Sequence, residues 1–580
     1  MILRTQRTAL VRGGALAAAA LASIAAIAQT AQAPISTQQP GRQLAETPPP
    51  RTGGAGVAVP AAPRPAFVAS DVKIRPAGFR VSGSTVFTAE QLQAQVAEFR
   101  NKELDFNGLA DVAAKIKRFY VDAGYPLTDV YFPEQSFAAQ GGTVEFAVIE
   151  ARIGKVSVVV APGARVRPDY IRSLVEWHLA PGHLITQAAL DRPVLLLRDM
   201  PGSTATANVT PGAAVGQADI TVTVSPQGRR TAASVGFDNF GAEDIGQYRF
   251  TLNGSVDNLL GYGDTTSVSV QPTDQSGTVL YRLGYRSGIG PGGTKASLSF
   301  SHSKYQLGGA FATLNASGDA KILAGALIHP LVRSRANNVF FQLGGDVKRL
   351  RDESGGTAPE RHVNVGKFGL LGNTAGPGLM LGATTSYSLL YNVGQLSIRD
   401  AATLAQDQLA TGPGTQGAFR KFNIELQRVE YLSDTVTMLG SFAGQTSSKN
   451  LTSAEKLSLT GPTAVRGYVA GSDTVVDQGM VMSVEVRQRL GYSPFGAALN
   501  VSAFYDYGVG YLHKTRSATT NSIFVGTENR VSVDSWGVGA SLGVEGNFFV
   551  NATLAWRLGG PVFTGNSSKS QFWLSAVKAF

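Results

Sequence analysis

The sequence predicts an all-β membrane barrel of sixteen antiparallel strands, preceded by two small α+β domains. Three observations carry this. From residue 231 to 580 the chain reads as successive period-two segments, with no segment spaced like a helix. Most of these segments reach the ~9–11 residues a tilted membrane strand needs, or somewhat more. Ahead of them, residues 72–228 twice mix helical spacing with short strands.

The N-terminus reads as an export signal. Arg4, Arg7 and Arg12 supply the positive start, Gly13 to Ala28 an Ala-rich apolar core, and Ala26-Ile27-Ala28 a small-x-small cleavage site. The expected signal peptide is 1–28. Residues 29–70 follow, rich in Pro, Ala, Gly and Thr, and read as a semi-extended linker with no amphipathic helical spacing.

The first α+β domain is expected at 71–152. Phe79 to Gly83 reads as a strand and turn. Helices follow with apolar residues three and four apart: Leu92, Val96 and Phe99, then Val112, Ile116 and Tyr120. Strands from Thr128 to Phe132 and from Thr143 to Glu150 complete it. A second unit is expected at 153–228, closing with a strand from Asp219 to Val224. The barrel is expected at 229–580. Its strands lie near 231–238, 246–257, 264–273, 277–287, 293–304, 316–328, 337–349, 360–372, 378–391, 417–430, 434–446, 478–490, 496–508, 531–545, 547–558 and 571–580. In one strand Met482, Val484 and Val486 face lipid, while Ser483, Glu485 and Arg487 face the lumen. In the next, Val501, Ala503 and Tyr505 alternate with Ser502, Phe504 and Asp506. An even strand number closes an antiparallel barrel without exposed edges.

Composition agrees. Hydrophobic residues make up 43% and mean hydropathy is +0.02, and past the N-terminal region no run approaches the ~20 apolar residues of a spanning helix. With no cysteine, disulfides and thiolate metal sites are excluded. The net charge of +10 is not gathered into a Lys/Arg run, so a nucleic-acid partner is not expected. Contact with lipopolysaccharide phosphates suits the positive balance. The six histidines are scattered and form no H-E-x-x-H pair, and His302 and Ser303 are strand neighbours pointing to opposite faces. Gly288, Gly290 and Gly293 fit G-x-G-x-x-G but join two strands, which reads as a turn. No catalytic residue, metal ligand or cofactor is expected.

The segment from Gly461 to Ser472, Gly-Pro-Thr-Ala-Val-Arg-Gly-Tyr-Val-Ala-Gly-Ser, carries a lone Arg466 in a connection of about thirty residues, long enough to mark a functional loop. The α+β domains precede the first strand, so connections after odd strands are extracellular. Loop 447–477 therefore starts outside, whereas Asp506 on the thirteenth strand points inward.

The Val465-Arg466-Gly467-Tyr468 core resembles the two-partner secretion transporters (TpsB type, the ShlB/FhaC/HecB haemolysin secretion/activation group), which share a superfamily with the barrel-assembly factor BamA. Gly124-Tyr-Pro126 and Phe132-Pro-Glu-Gln135 resemble the first POTRA domain of those proteins, and Leu195 to Gly202 and Val209 to Gly212 the second. Phe504-Tyr-Asp506-Tyr-Gly508 resembles their Phe-x-Asp-x-Gly strand motif. Gly236 to Gly241 and Asn258 to Asp264 resemble their first barrel hairpins. The resemblance implies that 71–152 and 153–228 are periplasmic POTRA domains. It implies that Arg466 pairs with Asp506 on a loop folded into the lumen, and that the partner is a large secreted β-helical exoprotein. It also implies outer-membrane lipid surroundings and assembly by the barrel-assembly machinery, which reads a terminal aromatic residue, here Phe580. Lys578 occupies a position more often apolar. Two alternatives stand beside this one: a BamA-like insertion factor, which typically carries more POTRA domains, and a passive porin-like channel, which needs none.

Mass spectrometry of the mature outer-membrane protein is expected to give Gln29 as its first residue. Retention of Arg4 to Arg12 overturns the signal assignment.

Overall fold

The computed structural model describes residues 73–135, 142–242, 245–275, 277–307, 315–353, 358–409, 412–469, 474–515, 529–560 and 568–580. The signal and the linker lie outside the described residues.

The first α+β unit holds β1 (Gly78–Ser82), α1 (Ala89–Gln95), α2 (Phe106–Asp122), β2 (Asp129–Tyr131) and β3 (Thr143–Ile149). Its sheet runs β1-β3-β2, parallel between β1 and β3 and antiparallel between β3 and β2. Thr88 and Gln91 cap α1 reciprocally, and Asp105 caps α2 through the Gly108 amide. Val112, Ile116 and Tyr120 form one stripe of α2 and pack with Leu92 and Val96 onto Phe79, Val144 and Phe146. The second unit repeats the plan: β4 (Arg152–Val160), α3 (Pro168–His178), α4 (Gln187–Arg198), β5 (Ser203–Pro211) and β6 (Gln217–Pro226), in sheet order β4-β6-β5.

The barrel strands are β7 (Thr231–Asp238), β8 (Arg249–Asp257), β9 (Thr265–Pro272), β10 (Val279–Ile289), β11 (Thr294–Gln306), β12 (Ser317–Arg333), β13 (Asn337–Glu353), β14 (Glu360–Gly376), β15 (Ala383–Ile398), β16 (Gly417–Tyr431) and β17 (Val436–Ser447). The two-residue β18 (Leu457–Ser458) and β19 (Val475–Val476) pair inside the loop that follows. The wall resumes with β20 (Gln478–Arg489), β21 (Ala498–Tyr511), β22 (Arg530–Val544), β23 (Phe548–Gly559) and β24 (Ser570–Ala579). Sixteen strands close, β24 pairing antiparallel with β7. Alternation sorts each strand: Met482, Val484 and Val486 are exposed to the lipid side, and Glu485 between them is buried. One element was not anticipated. A short helix, α5 (Ala401–Asp407), sits in the β15–β16 connection, its N-terminus capped by Asp400. Seven residues give too little periodicity to be read from sequence.

The second α+β unit is bolted to the barrel turns at one end. Asp199 takes two hydrogen bonds from Arg333, both at 2.8 Å, and Asp191 pairs with Arg335 at 2.6 Å. Beside them β12 breaks register at Pro330, which has no amide to donate. The freed carbonyls of Pro330 and Leu331 accept from Arg192 at 2.6 and 3.2 Å. The Asn258–Asp264 turn docks there as well: Gly261 has φ +83, its carbonyl accepts the Arg167 amide, and a Cβ on it would lie 2.9 Å from the Arg167 side chain. The turns touching this unit fix the periplasmic end, so connections after β7, β9, β11 and each later odd-placed strand are extracellular.

Glu150 ties the first unit together. Its carboxylate accepts the Thr85 and Val86 amides at 2.9 and 3.0 Å and the Tyr120 hydroxyl at 3.0 Å. Partial burial pushes this carboxyl up, but those hydrogen bonds outweigh it and hold it below the ordinary range. Burial, chiefly, pushes the Tyr120 phenol up to about 12. A carboxyl lowered on folding stabilises above its unfolded pKa, and that stability is lost as pH falls through the lower folded value. In the full chain, amide exchange near residues 79–87 is therefore expected to quicken below the ordinary carboxylate range. Glu150→Gln is expected to quicken it already at neutral pH, by about 1 kcal/mol of local stability, and to flatten the acid dependence. An unchanged profile in the variant removes Glu150 from this role.

Candidate functional site: the loop inside the barrel

Loop 447–477 leaves the extracellular end of β17 and returns into the barrel, where Arg466 is buried against β20 and β21. Its Nε and backbone amide donate to Asp506 Oδ2 at 2.9 and 3.0 Å, and Nη2 donates to Oδ1 at 2.8 Å. Nη1 reaches Glu485 Oε2 at 2.7 Å and Nη2 also reaches the Ser483 hydroxyl at 3.1 Å. The guanidinium carbon lies 3.3 Å from the centre of the Phe504 ring, and the Arg466 carbonyl accepts from Trp573 Nε1 at 2.7 Å. The planar fork matches a carboxylate with two parallel bonds and stacks on an aromatic face, which an ammonium cannot do. Ser483 and Asp506 are register partners, as are Glu485 and Phe504, so the strand pairing itself builds the cradle. Arg487 balances Glu485 at 2.7 Å.

The neighbouring motif residues explain how the loop fits so close. Gly467 lies against β22 and β23, where a Cβ would stand 2.6 Å from Ser535 Cβ, and its amide donates to the Ser535 hydroxyl at 3.1 Å. A Cβ on Gly508 would come 3.0 Å from Val465 Cγ2. Val465 is fully buried with Leu459, Val476, Val531 and Val533, and the Tyr468 hydroxyl donates to the Gly559 carbonyl. Ala470 to Ser472 of the motif lie outside the described residues. Phe580 is far from this site: its amide pairs with the Ala233 carbonyl at the β24–β7 seam.

A second anchorage was not read from the sequence. Glu455, in the same loop, is 2% exposed and meets Lys348 of β13 at 2.6 Å and Lys421 of β16 at 2.8 Å. Lys421 also donates to the Glu455 carbonyl at 3.0 Å, as does Gln445 at 3.1 Å. At the outer end Asp477 accepts the Leu451 and Lys514 amides and pairs with Lys456 at 3.2 Å. Alternation marks Lys348 and Lys421 as inward cations, and Glu455 is the loop's own acid. Only the loop's path shows that they meet. The loop is thus held by buried charge at β13–β16 and again at β20–β24.

Comparison places this architecture among known proteins. The family model described as haemolysin secretion/activation protein ShlB/FhaC/HecB matches residues 216–546, and that of the ShlB-type POTRA domain matches 74–151. The chain is similar to the heme/hemopexin transporter protein HuxB of Haemophilus influenzae, 26% identical over 497 residues, 85% of this chain and 84% of that one. It is similar to the outer membrane transporter CdiB of Dickeya dadantii, 22% identical and covering 79% of this chain and 80% of that one. Among solved structures, CdiB from Escherichia coli matches with a TM-score of 0.70 at 19% identity, covering 96% of this chain and 98% of that one. A BamA from Haemophilus ducreyi lacking POTRA domains 1–3 matches at 0.50 and 13%, covering 88% of this chain and all of that one, which speaks to fold alone.

Removing one member of a buried pair costs roughly 3–5 kcal/mol, less where water reaches it. Arg466→Ala and Asp506→Ala are each expected to impair secretion at matched barrel levels, with the double variant little worse than the poorer single one. Secretion losses that simply multiply show that the two residues act independently.

Proposed function

The chain belongs to the ShlB/FhaC/HecB haemolysin secretion/activation family, and from that premise we propose how its parts divide the work of export. It is an outer-membrane transporter that moves a large secreted exoprotein, with its POTRA domains in the periplasm. Members of this family are transporters, and we read this chain likewise as one that carries out no covalent chemistry. We assign the two POTRA domains to 71–152 and 153–228 and the barrel with its in-folded loop to 229–580.

The observation that carries the reading is a lumen occupied by the chain's own loop, pinned by charge, with the second α+β unit docked at its periplasmic mouth. The exoprotein arrives unfolded in the periplasm and adds as a strand to a POTRA sheet edge. The first sheet has two edge strands, β1 and the short β2. Such pairing uses main-chain hydrogen bonds and tolerates many sequences. The polypeptide then passes through the lumen once loop 447–477 is released from Asp506, Glu485, Lys348 and Lys421. Folding of the passenger outside supplies direction. Outer-membrane lipid and lipopolysaccharide surround the barrel, and the barrel-assembly machinery inserts it, reading the strand that ends in Phe580. A BamA-like insertion role has less behind it, since the family match and the full-length relatives are transporters.

Deleting 72–152 is expected to stop export of the cognate exoprotein while leaving a heat-modifiable barrel in the outer membrane. Undiminished export after the deletion shows that the first unit is not the docking platform.

A further inference from the structure

Among the described residues, the extracellular half of the barrel wall gathers most of its outward-facing charge on one side. On β11 to β16 the side chains that alternate with buried lumen residues include Lys304, Lys321, Arg349, Arg351 and Arg420, and Arg399 follows β15. Strand register sets them side by side. Tyr281, His302, Lys321, Arg349, His362 and Ser397 form one continuous row across six strands. The next row toward the rim holds Val279, Lys304, Asp319, Arg351 and Glu360. The next row toward the membrane centre holds Leu283, Phe300, Leu323, Val347 and Asn364. Of these, Phe300, Leu323 and Val347 are 44%, 47% and 49% exposed, as residues that face acyl chains must be. The cations therefore stand at the upper border of the apolar band.

Local carboxylates do not cancel them. Six Lys and Arg face four acids, Asp319, Glu353, Glu360 and the Asp400 beside Arg399, leaving a surplus of two positive charges. Asp319 is engaged by His302 at 2.5 Å and also meets Lys321 at 3.6 Å, Glu360 is engaged by His362 at 2.7 Å, and Glu353 stands 4.0 Å from Arg351. Among the described residues, Lys304, Arg349 and Arg420 have no carboxylate within 4.0 Å. The far wall differs in kind. Outward positions on the extracellular halves of β21 and β22 are Tyr505, Tyr507, Val509, Tyr511, Ser532, Asp534 and Trp536, with Arg530 alone as a cation on these two strands. An aromatic girdle is what any barrel needs at an interface. A cationic row is not, because exposed cations at the apolar border meet whatever anion the leaflet offers.

We propose that this face of β11–β16 is a binding surface for the phosphorylated glycolipid of the outer leaflet, lipid A. Lys321, Arg349 and Arg351 hold its phosphates, and Phe300, Leu323 and Val347 take its acyl chains. The assignment rests on the outer-membrane placement and on the periplasmic end fixed by the POTRA contacts. Loop release and cargo docking play no part in it.

Native mass spectrometry of the full-length barrel in mild detergent tests it, with diphosphoryl lipid A, its dephosphorylated form and phosphatidylglycerol as separate probes. Wild type is expected to bind diphosphoryl lipid A best. A Lys321→Ser/Arg349→Ser/Arg351→Ser variant is expected to bind it roughly a hundredfold more weakly, at about a kcal/mol for each cation near an anionic surface. The charge-keeping Lys321→Arg/Arg349→Lys variant and Arg530→Ser are expected to stay within about twofold of wild type. Should the triple variant lose its heat-modifiable fold, Arg349→Ser alone is expected to weaken binding several-fold. Wild-type binding by a folded triple variant, or by Arg349→Ser where the triple variant does not fold, overturns the proposal. So does equal wild-type affinity for the dephosphorylated glycolipid or for phosphatidylglycerol. No exoprotein is present in this measurement, so its outcome is separate from that of the transport reading.

Discussion

A cation buried in the lumen of a protein barrel must be compensated, and the compensation of Arg466 organises the site. Few places in a β wall offer two carboxylates, a hydroxyl and an aromatic face within reach of one guanidinium. Here register supplies them, since Asp506 lies opposite Ser483 and Phe504 opposite Glu485. The loop must come close enough for its backbone amide to join in, and that closeness requires glycine at 467 and 508. The motif residues are thus one steric and electrostatic solution. Changing Gly467 would push the fork off its carboxylate as surely as removing Asp506 would, because a Cβ there meets the Ser535 side chain.

The same economy governs the join between domains. A bulge at Pro330 spares two carbonyls, Arg192 takes them, and Asp199 and Asp191 take the arginines that follow. These contacts sit at the periplasmic end of β12 and on the turn that follows it. The second α+β unit is therefore held to the barrel rim while lipid-facing residues stay apolar. In our reading this fixes the docking sheets near the mouth through which cargo passes.

The parts of the molecule that sequence reveals are those governed by period. Strand alternation is a local property of two, and it places Asp506 and Glu485 inward and Val484 outward without knowledge of neighbours. Helical stripes at 92–96 and 112–120 are legible for the same reason. The contact between Arg466 and Asp506 is not local. It was inferred from two motifs of a resembling family together with strand parity, and in the structure the two side chains are in contact. Glu455, Lys348 and Lys421 had no such motif to link them. Each looks like an ordinary lumen or loop charge until the path of residues 447–477 is known. Helix α5 escaped because seven residues span two turns, too few to show a stripe.

The two anchorages have unequal geometry, and this bears on how the loop would let go. At Arg466 a single cation is shared by Asp506 and Glu485, and Glu485 already has Arg487 as a second partner. At Glu455 a single anion is shared by two lysines, and Lys348 retains Asp346 nearby at 3.7 Å. On the loop release we propose, the wall at β20–β21 would be left with excess negative charge and the wall at β13–β16 with excess positive charge. Water entering the lumen stabilises both, since charges that are costly in a closed interior are cheap when hydrated. In the proposed mechanism, opening the barrel to water and releasing the loop would therefore be coupled steps, each lowering the cost of the other. A polypeptide threading the open lumen would meet walls of opposite sign on its two sides, and so a surface with little preference for one net charge of cargo.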